Sequence, residues 1–154
     1  MPPESCDDIV VTILTGRRPG LLRRTLESLP NWLWDSARFV VLHNGNDEIT
    51  RQVLDDFVFD VRVSGDEFLQ IGDAVSTLFR HAEPIGSKYT LHLEDDWVCE
   101  DDSDGEWLLD ARRALDQDLV GLVRLRQEVE PVLKHNMISG EPIFWGTWAA
   151  PSQR

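Results

Sequence analysis

Cysteine is scarce in this chain of 154 residues: Cys6 and Cys99 are the only two, and their positions show no metal-ligand spacing. A reduced, cytoplasmic pair of thiols is the expectation. Long apolar runs are missing as well. The longest, "IVVTIL" and "FVVL", fall far short of a membrane span. No charged-then-apolar leader precedes them, so secretion is not expected either. Basic residues are in deficit, 15 Lys and Arg against 28 Asp and Glu for a net charge of −13. That balance argues against a broad nucleic-acid surface and leaves only a local patch at Arg17, Arg18, Arg23 and Arg24. No internal repeat or linker interrupts the chain. What is present, 42% apolar residues and six tryptophans, fits one packed globule spanning residues 1–154.

The apolar pattern alternates between two periods. Ile9–Leu14 is a continuous β-branched run of strand length, followed by the turn "TGRRPG". Leu22, Leu26 and Leu29 then recur at helical spacing until Pro30 stops them. Arg38–Leu42 predicts a second buried strand, "HNGND" a turn, and Ile49, Val53, Leu54 and Phe57 one face of a helix. A shorter strand is expected over Asp60–Val63, and a third helix through Val75, Leu78, Phe79 and Ala82, with Asp73 as its cap. Tyr89–Leu93 predicts the next strand, Trp107, Leu108, Ala111 and Leu115 another helix, and Val120–Leu125 another strand. Trp32 and Trp34 straddle an expected loop that packs over the sheet, and the tail "EPIFWGTWAAPSQR" is irregular and aromatic. Strands alternating with helices imply an α/β fold with a mostly parallel sheet flanked by helices. In such open sheets ligands bind beyond the carboxyl ends of the strands. The loops Thr15–Gly20, His43–Asp47 and Glu94–Asp96 are therefore expected to meet at one crevice.

The third of these loops opens a concentration of carboxylates. Glu94, Asp95, Asp96, Glu100, Asp101, Asp102, Asp104 and Glu106 contribute −8, leaving −5 for everything else. In an extended segment residues two apart point the same way, so Glu94 and Asp96 are expected to present carboxylates to one point while Asp95 faces elsewhere. Two carboxylates aimed at one point call for a cation. Oxygen-only ligands favour Mg²⁺ or Mn²⁺, held by one or two carboxylates with phosphate oxygens and water completing the shell. Asp101, Asp102 and Asp104 suit a solvated loop better.

Competing acidic motifs fail on particular residues. Glu100, Asp102, Asp104 and Gly105 imitate a calcium-binding helix-loop-helix, but its twelfth position, which needs a bidentate Glu, is Ala111. No G-x-x-x-x-G-K-[ST] phosphate loop occurs. A phosphatase D-x-D-x-[TV] would need a nucleophilic Asp where Glu94 stands.

The stretch "VVTILTGRRPGLLRRTLESL", the turn "HNGN" at His43–Asn46 and the triad Glu94-Asp95-Asp96 occur in an order that resembles the nucleotide-sugar glycosyltransferases of the GT-A fold, particularly the family 2-like enzymes. The first strand of that family leads to a Thr-containing loop and a helix ending "tL.SL". Its second strand ends in "DDGS", where this chain has "HNGN" without the acidity, and its D-x-D closes the fourth strand, where this chain has Glu in first place. The resemblance spans roughly Ile9 to Leu125.

It implies a metal-dependent glycosyltransferase that takes a nucleoside-diphosphate sugar as donor, with Mn²⁺ or Mg²⁺ between the diphosphate and the acidic loop. Asp96 would be the direct ligand and Glu94 would act through water or on the ribose. Asp95, Thr15, Arg17, Asn44, Asn46 and Asp73 would face the nucleotide sugar. Only 58 residues follow Asp96 and no acidic "ED" helix is evident among them. Glu141 is the first candidate for the base that deprotonates the acceptor, with Glu128 and Glu130 behind it, and His135 is a candidate late metal ligand. Trp97 could wall the donor pocket, and Trp145 and Trp148 could stack on an acceptor. The acceptor stays open among a small molecule, a glycan, a protein and a modified nucleic-acid base. Two other classes are compatible: a nucleotide- or partner-binding protein without turnover on the same fold, and a sugar nucleotidyltransferase, whose Gly-rich opening loop "LTGRRPG" matches poorly.

Overall fold

The computed structural model describes residues 6–99, 105–117, 120, 121 and 123, and the backbone of 134–135 and 142–143. Two units divide the chain, one over residues 2–102 and one over 103–154 together with residue 1.

The first unit is an α/β layer structure. Its elements are β1 (Ile9–Thr15), α1 (Pro19–Ser28), α2 (Asn31–Ser36), β2 (Arg38–Asn44), α3 (Glu48–Asp55), β3 (Val61–Gly65), α4 (Ile71–Ala82), a 3₁₀ turn (Glu83–Ile85) and β4 (Tyr89–Glu94). The four strands form one parallel sheet in the order β3-β2-β1-β4. All seven residues of β1 are buried, as expected of a central strand covered on both faces. Side chains alternate across it. Val10, Leu14, Val40 and Leu42 pack with Ala74, Leu78 and Ala82 of α4. On the opposite face Phe39 takes Trp34 of α2 in a stack at 4.0 Å, and Val41 and His43 line a shallow recess with Leu54 of α3. His92, opposite Thr12 in the ladder, binds its hydroxyl through Nδ1 at 3.1 Å, and burial holds the ring below its ordinary pKa against the pull of Glu94.

The order of the strands locates the site. The chain steps outward from β1 to β2 to β3, then returns through α4 to the other side of β1. The strand order therefore reverses between β1 and β4, where Leu14 stands opposite Glu94. A crevice beyond the carboxyl ends at such a reversal is where open α/β sheets bind ligands.

Several boundaries depart from the expected ones, each for a local reason. Pro19 starts α1, its missing N–H costing nothing in the first turn. Pro30 ends that run and immediately leads the six-residue α2, so Trp32 and Trp34 lie on a helix rather than in a loop. Strand β2 runs on to Asn44 because its ladder continues against Thr15 on one side and Gly65 on the other. Strand β3 begins one residue late, since the Asp60 carboxylate accepts from Phe39 N–H at 2.7 Å and Arg38 at 2.9 Å. Helix α4 is preceded by Gln70 at its cap position with no side-chain hydrogen bond; Asp73 sits in the first turn, where its charge suits the helix dipole, and is not the cap.

In the second unit α5 (Glu106–Leu115) follows Gly105, which adopts φ +84°, and buries Leu108 and Ala111. Lys134–His135 (β5) and Pro142–Ile143 (β6) pair antiparallel. Residues 120, 121 and 123 form no strand, and the rest of the strand expected at Val120–Leu125 lies outside the described residues. Among the described residues no helix is long and apolar enough to cross a membrane. Neither cysteine forms a disulfide; Cys6 is buried and Cys99 half-buried.

The entry to α3 makes a pH-dependent contribution to stability. Asp47 caps the helix by accepting from Thr50 N–H at 2.9 Å, and its backbone nitrogen and Oδ2 each lie 3.1 Å from Nε2 of the buried His43. Burial favours the neutral carboxyl, but the Thr50 N–H and His43 outweigh it and bring the Asp47 pKa down from 3.8 to about 2. A depressed carboxylate contributes stability that is complete above its unfolded value and is lost as pH falls through the folded one. Replacing Asp47 with Ala should therefore cost about 1 kcal/mol near neutral pH. Urea unfolding of both proteins should show that gap closing as pH falls from 3.8 toward about 2.

Candidate functional site

Strand β4 ends at Glu94, and the next residues turn rather than extend, with Trp97 N–H donating to the Glu94 carbonyl at 3.4 Å. The two-residue alternation expected across Glu94, Asp95 and Asp96 therefore stops at Glu94. The turn sorts the three carboxylates by environment. Glu94 is half-buried, Asp95 has no exposed surface, and the Asp96 side chain is 42% exposed.

Asp95 points back into the fold. Its Oδ2 accepts from the Thr15 hydroxyl and from Gly16 N–H, each at 3.0 Å. Its Oδ1 is buried, takes no aligned hydrogen bond, and is neutralised by an ion pair with Arg18. The same guanidinium reaches outward, donating from Nη1 to Oδ2 of Asp96 at 3.0 Å. Partial burial works against the charge on Arg18, but Asp95 and Asp96 prevail and raise its pKa above the ordinary value. Arg18 thus bridges an inner and an outer carboxylate, with its own side chain 48% exposed. The sequence offers one signal for this role: adjacent carboxylates after a strand need a cation, and "TGRRPG" supplies two, without telling which of Arg17 and Arg18 turns inward.

Arg17 takes a different partner. Its guanidinium lies over the ring of Phe68, 5.4 Å from the centroid, and Phe68 remains 55% exposed. The ring lies at the carboxyl ends of β1 and β2, close to two glycines. A Cβ on Gly16 would meet it at 3.5 Å, while one on Gly45 would come within 2.9 Å. Gly45 also adopts φ +100°, so glycine is required there on both counts. Phe68 was not anticipated, since an aromatic in a polar loop carries no periodic signal.

The remaining expected ligands are placed less openly. Asn44 is 6% exposed, and both ends of its amide engage Leu69, Nδ2 donating to the carbonyl at 2.9 Å and Oδ1 accepting from N–H at 2.7 Å. It holds the loop that carries Phe68, and its near-complete burial turns both ends of the amide toward Leu69. Asn46, exposed and in the left-handed region at φ +44°, lies 3.5 Å from Asp66. Asp73 is exposed on the first turn of α4. Glu128, Glu130, Glu141, Trp145 and Trp148, the acidic run 100–104 and the side chain of His135 lie outside the described residues. The structure thus joins Thr15 to Asp95 directly and Asp95 to Asp96 through Arg18, and separately sets Arg17 over Phe68.

Among the described residues no group of three or more His, Cys, Asp and Glu side chains gathers to hold a metal. Asp95 is fully engaged by its internal partners. Asp96 keeps an exposed carboxylate, oxygen chemistry that suits Mg²⁺ or Mn²⁺ held by one or two carboxylates with phosphate oxygens and water, while the turn removes the extended alternation that was expected to aim half-buried Glu94 at the same point.

The two aspartates should separate cleanly on substitution. Asp95→Asn turns an amide donor toward Arg18 or toward the Thr15 and Gly16 donors, and should cost about 2 kcal/mol. Asp96→Asn, at an exposed position, should stay within about 0.5 kcal/mol of the native protein. Denaturant unfolding measures both. No protein-family model matches the chain, and no curated protein matches it.

Proposed function

We propose that this chain is a metal-dependent glycosyltransferase of the GT-A, family 2-like kind, moving a sugar from a nucleoside-diphosphate sugar to an acceptor hydroxyl. The observation that carries the reading is the pairing of β1 and β4 ends at the reversal of strand order, with Asp95 bound to Thr15 and Gly16 and Asp96 exposed beside it. In this reading Asp96 would hold the cation directly, and Glu94 would act through water or on the donor ribose. A bound Mn²⁺ or Mg²⁺ would supply positive charge to the departing diphosphate.

The chain's own residues would do the rest. Asp95 fixes the β1 loop and orients Arg18. Arg17 and the exposed face of Phe68 offer a cation and an aromatic surface to the nucleotide, and Asn46 an amide. The acceptor oxygen attacks the anomeric carbon as its proton passes to a general base. The bond from that carbon to the diphosphate oxygen breaks, and a nucleoside diphosphate leaves.

A second reading, nucleotide binding without turnover, draws on the burial of Asn44 and Asp95 against internal partners, two residues expected to touch the donor. Release of nucleoside diphosphate from a panel of nucleotide sugars separates the two, because binding alone yields no product.

Calorimetry with a panel of nucleoside diphosphates tests the metal bridge. Mn²⁺ should tighten nucleotide binding by about tenfold or more, within the usual range of coupling between sites. Asp96→Asn should abolish that gain while leaving the unfolding midpoint in place. Equal affinity in Mn²⁺ and in EDTA would remove the metal from the proposal.

A further inference from the structure

The position at which a cation would neutralise Asp96 already has one. Arg18 donates to Oδ2 of Asp96 at 3.0 Å while its other terminal nitrogen pairs with Oδ1 of Asp95. The two contacts differ in character. Asp95 is buried and its Oδ1 takes no aligned hydrogen bond, so loss of the guanidinium would leave a buried charge unneutralised. The contact with Asp96 joins two partly exposed groups, 48% and 42%, and is correspondingly easy to exchange. Arg18 is therefore anchored on the inside and exchangeable on the outside.

Resting on the glycosyltransferase reading, we infer that Arg18 is a built-in counter-ion that competes with a divalent cation for Asp96 and is handed to the diphosphate when nucleotide binds. A cation approaching Asp96 meets both an occupied carboxylate oxygen and the repulsion of a fixed positive charge, so its affinity for the free protein is suppressed. A diphosphate reverses the sign. Its oxygens give the guanidinium a bidentate acceptor and free the Asp96 carboxylate for the metal. Cooperativity between nucleotide and cation then has a second origin besides direct coordination, namely removal of a competitor. The exposed half of the Arg18 side chain allows that exchange while β1 and β4 stay joined through Thr15, Gly16 and Asp95.

The test measures binding of Mn²⁺ alone, by calorimetry, to the native protein and to Arg18→Gln and Arg18→Lys. Arg18→Gln should bind Mn²⁺ about fivefold tighter or more, the lower end of typical coupling between sites. Arg18→Lys, which keeps the charge, should remain near the native affinity. With Mn²⁺ saturating, Arg18→Gln should bind nucleoside diphosphate more weakly than the native protein. If Arg18→Gln alone does not fold, the double variant Arg18→Gln/Asp95→Asn removes both charges of the inner pair and should show the same tightening of Mn²⁺. Unchanged or weaker Mn²⁺ binding in whichever of these folds overturns the inference. Should the native protein bind Mn²⁺ and nucleotide cooperatively in that case, the glycosyltransferase reading stands and only the role of Arg18 falls. Failure of every form to bind Mn²⁺, with or without nucleotide, overturns both.

Discussion

A carboxylate with no exposed surface must find its hydrogen bonds inside the protein, and Asp95 finds them on the neighbouring strand. The Thr15 hydroxyl, the Gly16 N–H and the Arg18 guanidinium all belong to the segment that closes β1 and opens α1. Burial without those partners would cost several kcal/mol. Their presence ties the two strands together at the point where the order of the sheet reverses. The carboxyl ends of β1 and β4 are arranged around that tie, because it sets where the β1 loop lies, which way Arg18 points and which carboxylate of the turn faces outward.

The concentration of negative charge after β4 is organised by direction. A turn at Glu94–Trp97 sends consecutive aspartates to opposite environments, one into the fold and one to solvent, and a single guanidinium spans them. An extended strand would have aligned Glu94 with Asp96 and left Asp95 on the other face. The turn instead gives each carboxylate a separate task, structural for Asp95 and accessible for Asp96.

The carboxyl end of β2 depends on backbone geometry. Gly45, at φ +100°, lets the end of β2 pass beneath Phe68 without a clash. Asn44 clamps Leu69 from below, and Arg17 covers the ring from the β1 loop. Three loops from three strand ends thereby meet through contacts that each require a specific side chain or its absence.

The α/β class and the parallel sheet were legible in the sequence because buried strands and amphipathic helices impose different periods on apolar residues, and the runs Ile9–Leu14 and Arg38–Leu42 are long enough to show theirs. The concentration of charge was legible too: the eight carboxylates from Glu94 to Glu106 stand out in the sequence, and Glu94 closes a parallel strand as expected. Direction was not. Whether Arg17 or Arg18 turns inward, whether Asp95 or Asp96 is buried, and whether Asn44 meets a ligand or Leu69 depend on backbone torsions at strand ends, where the two-residue alternation breaks and no periodicity replaces it. Those torsions are set by contacts between residues far apart in the chain, Thr15 with Asp95 and Asn44 with Leu69 among them, and only the packed tertiary structure brings such partners together.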